Sequence, residues 1–171
     1  MSELSDQIRA TSIRRMDESK ERIDKCVQML SKEQLWGRFN NNTPRVGDLV
    51  LHLSGNIQQW ILSTFSDLPD NRERDEEFSS SGILDKEELI GSFDSIIENA
   101  IESVKVLQEE QLIKDYEVQG FQETGTDILV HVVEHLSYHT GQIALHTKTL
   151  LNKDLGFYAG QDLNSKKPTI Q

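Results

Sequence analysis

The residues in this chain best suited to chemistry are its histidines. Four of the five fall in HVVEHLSYHTGQIALH, between His131 and His146. On an α-helix, four residues climb about 6 Å and overshoot a full turn by about 40°, so His135 and His139 project from one face on successive turns. Two imidazoles so placed can chelate one ion. The competing reading, a partly buried histidine bonded to a neighbouring carbonyl or carboxylate, suits an isolated histidine better than a cluster this dense. A third ligand has to come from another helix, because three successive turns of one helix diverge too far to close a coordination sphere. His52 is the candidate outside the cluster. In DLVLHLSGNIQQWI the residues Leu49, Val50, Leu53, Ile57, Trp60 and Ile61 are apolar, while His52, Asn56 and Gln59 share a narrow polar stripe. Asn56 and Gln59 can orient a ligand from outside the coordination sphere, or simply tie two helices together by hydrogen bonds.

Three neutral imidazoles leave the charge of a divalent ion uncompensated and at least one coordination position open to water, thiolate or substrate oxygen. An open position points to catalysis rather than to a structural staple. Zinc or nickel suits such a set first, and iron or manganese next. A rival reading begins at His131, since His131 to His135 spell H-x-x-E-H, the inverted zinc-peptidase spacing. It would leave His52 and His139 without a role. It also calls for a β-sheet and cleft that this chain does not promise, so Glu134 reads as a surface carboxylate or one that orients a ligand.

These histidines need long helices to hold them. Ile13, Met16, Ile23, Val27 and Leu30 recur at helical intervals and predict a first helix over that span. Ser31 with Gln34 has the capping-box spacing of a short turn, and Thr43 with Pro44 reads as the cap and first residue of a second helix reaching about Phe65. The charged, serine-rich stretch from Leu68 to Gly82 reads as an exposed connection. Asp85 with Glu88 caps a third helix carrying Leu89, Phe93, Ile97 and Val104, and after a polar break Thr126 or Asp127 caps a fourth that ends near Leu151. With no convincing alternating strand pattern, the expectation is an all-α four-helix bundle with a long connection between helices two and three.

At 171 residues the chain has the length of one domain, taken here as residues 1–171. The single Cys26 cannot form an internal disulfide, and reads as a small buried apolar residue. No secretory leader is evident, so the expected compartment is the cytoplasm. A formal charge of -11 disfavours nucleic acid and anionic membranes as partners.

The segments LVLHLSGNIQQWI, PDNRERDEEF and HVVEHLSYHTGQI, in that order and at these separations, make nearly the whole chain resemble the DinB/YfiT-like superfamily of metal-binding four-helix bundles. The branch it resembles is catalogued as a domain of unknown function. The resemblance implies a metal held by one histidine of helix two and two of the last helix, matching His52, His135 and His139. It also implies frequent homodimers, a small-molecule substrate, and relatives that use low-molecular-weight thiols in S-transfer or isomerisation.

Around such a centre, Gln142 lies one turn beyond His139 and can orient a ligand or water, while Gly141 permits close packing. Tyr138 can donate a proton near the metal, or serve as a core or interface aromatic. His131 and His146 lie on a neighbouring stripe, as proton shuttles or as hydrogen-bonded structural groups. Arg72 and Arg74 can meet an anionic substrate if their loop folds over the bundle mouth, or pair with Asp75, Glu76 and Glu77. The functional expectation is therefore a metal-dependent transferase or hydrolase, and the alternative is a non-catalytic metal-binding or dimerisation module.

Overall fold

A computed structural model describes residues 2–66, 68–79 and 84–166. The elements in chain order are α1 (Glu3–Met29), α2 (Lys32–Trp36), α3 (Val46–Ile57), a π-helical turn (Gln58–Leu62), α4 (Ser63–Phe65), α5 (Arg74–Ser79), α6 (Lys86–Lys105), α7 (Glu109–Ile113), β1 (Asp115–Val118), β2 (Phe121–Thr124) and α8 (Gly125–Leu151). The fold is all-α. Its long helices form a ring in which α1 packs on α6 and α8, and α3 with its π extension packs on the same two. Each contributes one apolar face to the core: Met16, Ile23 and Val27; Leu49, Leu53, Ile57 and Ile61; Phe93, Ile97 and Val104; Ile128, Val132, Leu136 and Ile143. Fully burying a side chain of this size stabilises the fold by about 1.5–3 kcal/mol. No helix among the described residues is long and apolar enough to cross a membrane.

Several boundaries differ from expectation, each for a local reason. Helix α1 starts at Glu3 instead of Ile13, with the Ser2 hydroxyl accepting from the Ser5 N–H at 3.3 Å. Its first turns bury Ser5, Arg9 and Ser12 rather than apolar residues, so hydrophobic periodicity says nothing there. Helix α3 starts at Val46 instead of Pro44, because Asp48 accepts from both the Arg45 backbone N–H (3.1 Å) and the Arg45 guanidinium (2.8 Å), anchoring the first turn two residues later. The cap of α8 is Thr124 rather than Thr126 or Asp127. Its hydroxyl accepts from the Asp127 N–H at 3.2 Å, while the Asp127 carboxylate accepts from the Thr124 N–H at 3.1 Å, a full capping box. The boxes expected at Ser31 and Asp85 form as read.

Two short strands occupy the supposed polar break. They pair antiparallel through a tight turn in which Gln119 and Gly120 both adopt positive φ (51° and 80°), the conformation of a type I′ hairpin. Of the long connection, Ser80, Ser81 and Gly82 lie outside the described residues, but Arg74–Ser79 forms the helix α5, seated on α3. Gly55 makes that seat possible: a Cβ there would stand 2.1 Å from Glu77 Oε1.

Candidate metal centre

His52 projects from α3, where it is 5 % exposed, and His135 and His139 project from α8, where both are half-buried. Their ring centroids form a triangle of 4.9 Å (52 to 135), 5.0 Å (52 to 139) and 4.5 Å (135 to 139). One nitrogen from each lies within 4.8 Å of the other two, close enough to bind a single metal ion. Two nitrogens each about 2.1 Å from an ion stand at most about 4.2 Å apart. The His52–His135 Nε2 pair, at 2.9 Å, already meets that limit, and the longest separation allowed by 4.8 Å closes with a shift of well under an ångström.

The surroundings select which nitrogen faces inward. His52 Nδ1 lies 2.7 Å from Glu77 Oε2 and 3.2 Å from Arg72 Nη2. A carboxylate only accepts and a guanidinium only donates, so the shorter, charge-assisted contact decides: Nδ1–H donates to Glu77 and leaves the Nε2 lone pair free. His139 follows the same rule, its Nδ1 donating to Gln142 Oε1 at 2.7 Å. This is the carboxylate or amide to histidine arrangement that orients ligands in metal sites. Without metal, His135 Nε2–H donates to His52 Nε2, holding a proton where an ion would sit.

Electrostatics favour the neutral form of the two donors on α8. Burial first, then the neighbouring imidazoles His139, His52 and His131, pushes the His135 pKa down to about 3. Burial also lowers His139, partly opposed by its bond to Gln142. Glu77 is buried, which by itself would raise its pKa, but the hydrogen bonds from His52 and Arg72 outweigh that and hold the carboxyl below its ordinary value. Three imidazoles, two of them with outer acceptors, make a donor set that fits a divalent borderline metal.

The other candidates are distributed more widely. Gln142 does contact His139, whereas Gln59 bonds to Asp70 (2.8 Å) and accepts from Arg72 (2.9 Å), reaching His52 only through that arginine. Asn56 faces His131 Nε2 at 3.3 Å, one turn away from the triad. His131 stacks on Trp60 with ring centroids 3.7 Å apart, and His146 meets the edge of Phe39 at 5.0 Å. Neither His131 nor the exposed Glu134 joins the ion-sized group, so the H-x-x-E-H spacing does not assemble a site. Tyr138 is exposed and touches the edge of His139 at 4.9 Å instead of entering the core. Arg72 is buried against Glu77, its Nε 2.7 Å from Oε1, while Arg74 lies over the Phe78 ring at 5.3 Å.

Glu77 enters the sequence reading only as an ion-pair partner for the arginines. It has that role with Arg72, and it also takes the His52 proton. Phe78, with its ring centroid 5.0 Å from that of His52, is the other neighbour that sequence reasoning missed. The available signal was Gly55, a helix-interior glycine three residues past His52. Such a residue costs about 1 kcal/mol relative to alanine and so implies close approach by another segment.

The family described as a protein of unknown function (DUF1572) matches residues 3–158. Among solved structures, a conserved protein of locus from Enterococcus faecalis superposes with a TM-score of 0.69, covering 84% of this chain and 97% of its own, at 17% identity. At that identity the likeness shows a shared fold. No curated protein matches.

Proposed function

The chain belongs to the DUF1572 family, and from that premise we propose that it is a metal-dependent enzyme of the DinB/YfiT-like superfamily, a transferase or hydrolase acting on a small molecule. The observation that carries this reading is the pair of outer acceptors. Glu77 on His52 and Gln142 on His139 both turn Nδ1 outward, and side chains serving only as core polar groups have no need of matched tautomers. A divalent ion held by His52, His135 and His139 would supply Lewis acidity, lowering the pKa of a thiol or water to give a nucleophile at neutral pH.

The chain's own residues prepare that chemistry. Glu77 and Arg72 neutralise each other beneath His52, so the ion's charge is left for incoming groups to balance. Phe78 brings apolar surface against His52, and Trp60 stacks on His131 one turn from His135. Tyr138, exposed and in ring contact with His139, would be the hydroxyl donor on α8 nearest an incoming group.

Elemental analysis and zinc titration of the purified chain test the ligand set. One ion per chain is expected, lost in a folded His139→Ala variant. Full occupancy in that variant would sink the assignment. The cobalt-substituted protein separates enzyme from staple: a visible spectrum that changes on adding a low-molecular-weight thiol supports an exchangeable position, whereas an unresponsive spectrum supports a non-catalytic module.

A further inference from the structure

Arg72, one of the two arginines expected to meet an anionic substrate, is engaged by Glu77 and Gln59, and its side chain is only 4% exposed. A different guanidinium stands ready. A groove of about 720 Å³ runs between α1 and α8, with Arg15, Ser19 and Arg22 on one wall and His135 and Tyr138 on the other. Arg22 also lines an adjoining hollow of about 230 Å³ with Ser19 and Ser137. Its guanidinium lies over the rings of Phe157 (5.6 Å) and Tyr158 (5.5 Å), and it donates to the Tyr158 hydroxyl at 3.3 Å.

What Arg22 lacks is a carboxylate. In a chain of net charge -11, it forms no ion pair among the described residues. Glu18, in the same groove, is taken by Arg15 (2.7 Å) and by Arg14 (3.2 Å), which reaches it from outside. Glu134 lines the groove from α8, exposed to solvent, and forms no ion pair with Arg22 among the described residues. A planar guanidinium packed against two aromatic rings, in a groove that Ser19 also lines, is pre-organised for two-point contact with an oxyanion.

We propose that this groove binds a small molecule carrying an oxyanion, a carboxylate or a phosphate, which docks on Arg22 and extends its other end past His135 to the metal. Docking on Arg22 stands without the metal; the direction of the other end rests on the function proposed above. The test is calorimetric titration of the full chain, with and without zinc, using succinate and inorganic phosphate as probes. Wild type binds at least one of them, and the preferred probe identifies the oxyanion. Arg22→Gln weakens binding at least about tenfold, Arg22→Lys falls between because it keeps charge without the fork, and Lys105→Gln has no effect. Lys105, paired with Glu102 at the end of α6, lies outside the groove, so Lys105→Gln makes the same change in net charge and separates local contact from the general field.

The proposal is overturned if neither anion binds, or if Lys105→Gln and Arg22→Gln weaken binding equally. If zinc does not bind but succinate still binds through Arg22, the metal reading falls and the anion site stands. If zinc binds normally while Arg22→Gln leaves anion binding unchanged, the reverse holds. In the cobalt-substituted chain, succinate shifts the visible spectrum at concentrations that rise at least about tenfold in Arg22→Gln; a spectrum indifferent to succinate refutes the extension to the metal.

Discussion

Replacing Glu77 by glutamine changes one atom and tests the logic of the whole centre. The carboxylate accepts three charge-assisted bonds: from His52 Nδ1 (2.7 Å), Arg72 Nε (2.7 Å) and Arg72 Nη2 (3.0 Å). Glutamine supplies one acceptor and one donor. With its oxygen toward His52 Nδ1 and Arg72 Nη2 it keeps the His52 tautomer, as Gln142 does for His139, but without the negative charge and with its amide N–H₂ facing Arg72 Nε, donor against donor. In the reversed orientation the clash moves to Nη2, and His52 Nδ1 can accept only by moving its proton to Nε2, the lone pair a metal requires. Either way the charged acceptor on His52 is gone. Loss of such an outer partner lowers metal affinity by about 10–100-fold, or about 1.4–2.7 kcal/mol. Leaving Arg72 with one unmatched donor destabilises the metal-free fold by about 1–3 kcal/mol, moderated by the bond it keeps to Gln59 Oε1 at 2.9 Å. Competitive zinc titration against a chromophoric chelator measures the first quantity, and urea unfolding of the metal-free chain the second. A folded Glu77→Gln variant with wild-type zinc affinity would refute the argument that the Glu77 carboxylate strengthens His52 as a ligand.

Gly55→Ala should act on the same bond from the opposite side. Its new Cβ displaces the Glu77 carboxylate, so zinc affinity falls about tenfold, even though alanine is intrinsically better in a helix by about 1 kcal/mol. Unchanged affinity in the zinc titration would contradict the close approach. The metal-free chain should lose stability in acid: the His135 pKa lies near 3 in the fold against 6.5 when unfolded, so the unfolded chain takes up the proton first. That contribution is complete above about pH 6.5 and is lost progressively as pH falls toward 3, so the urea midpoint should drop between about pH 7.5 and 5; a constant midpoint would show that His135 is not held neutral. Cys26 is fully buried, and burial raises its pKa, so a chromogenic disulfide reagent should label it only as fast as the chain unfolds. Rapid labelling of the native chain would contradict the packing of α1.

Helical spacing alone was enough to pair His135 with His139, and the polar stripe on the second helix was enough to nominate His52, because both depend only on the 3.6-residue period. The same period outlined the long helices wherever their buried faces are apolar. It failed where burial is polar, as at Ser5, Arg9 and Ser12, and where hydrogen bonding overrides composition, as in the Gln119–Gly120 hairpin. What only the tertiary structure decided is the set of groups around the histidines. Glu77 and Arg72 lie 25 and 20 residues from His52 along the chain, in a charge run that reads as solvated. They reach His52 because Gly55 lets α5 settle on α3, and the His52 contacts with His135 and His139 exist because α3 and α8 are neighbours in the ring. Side-chain periodicity is local, and a sequence carries it openly; which face meets which is set by how four helices bury their cores together, and no single segment holds that information.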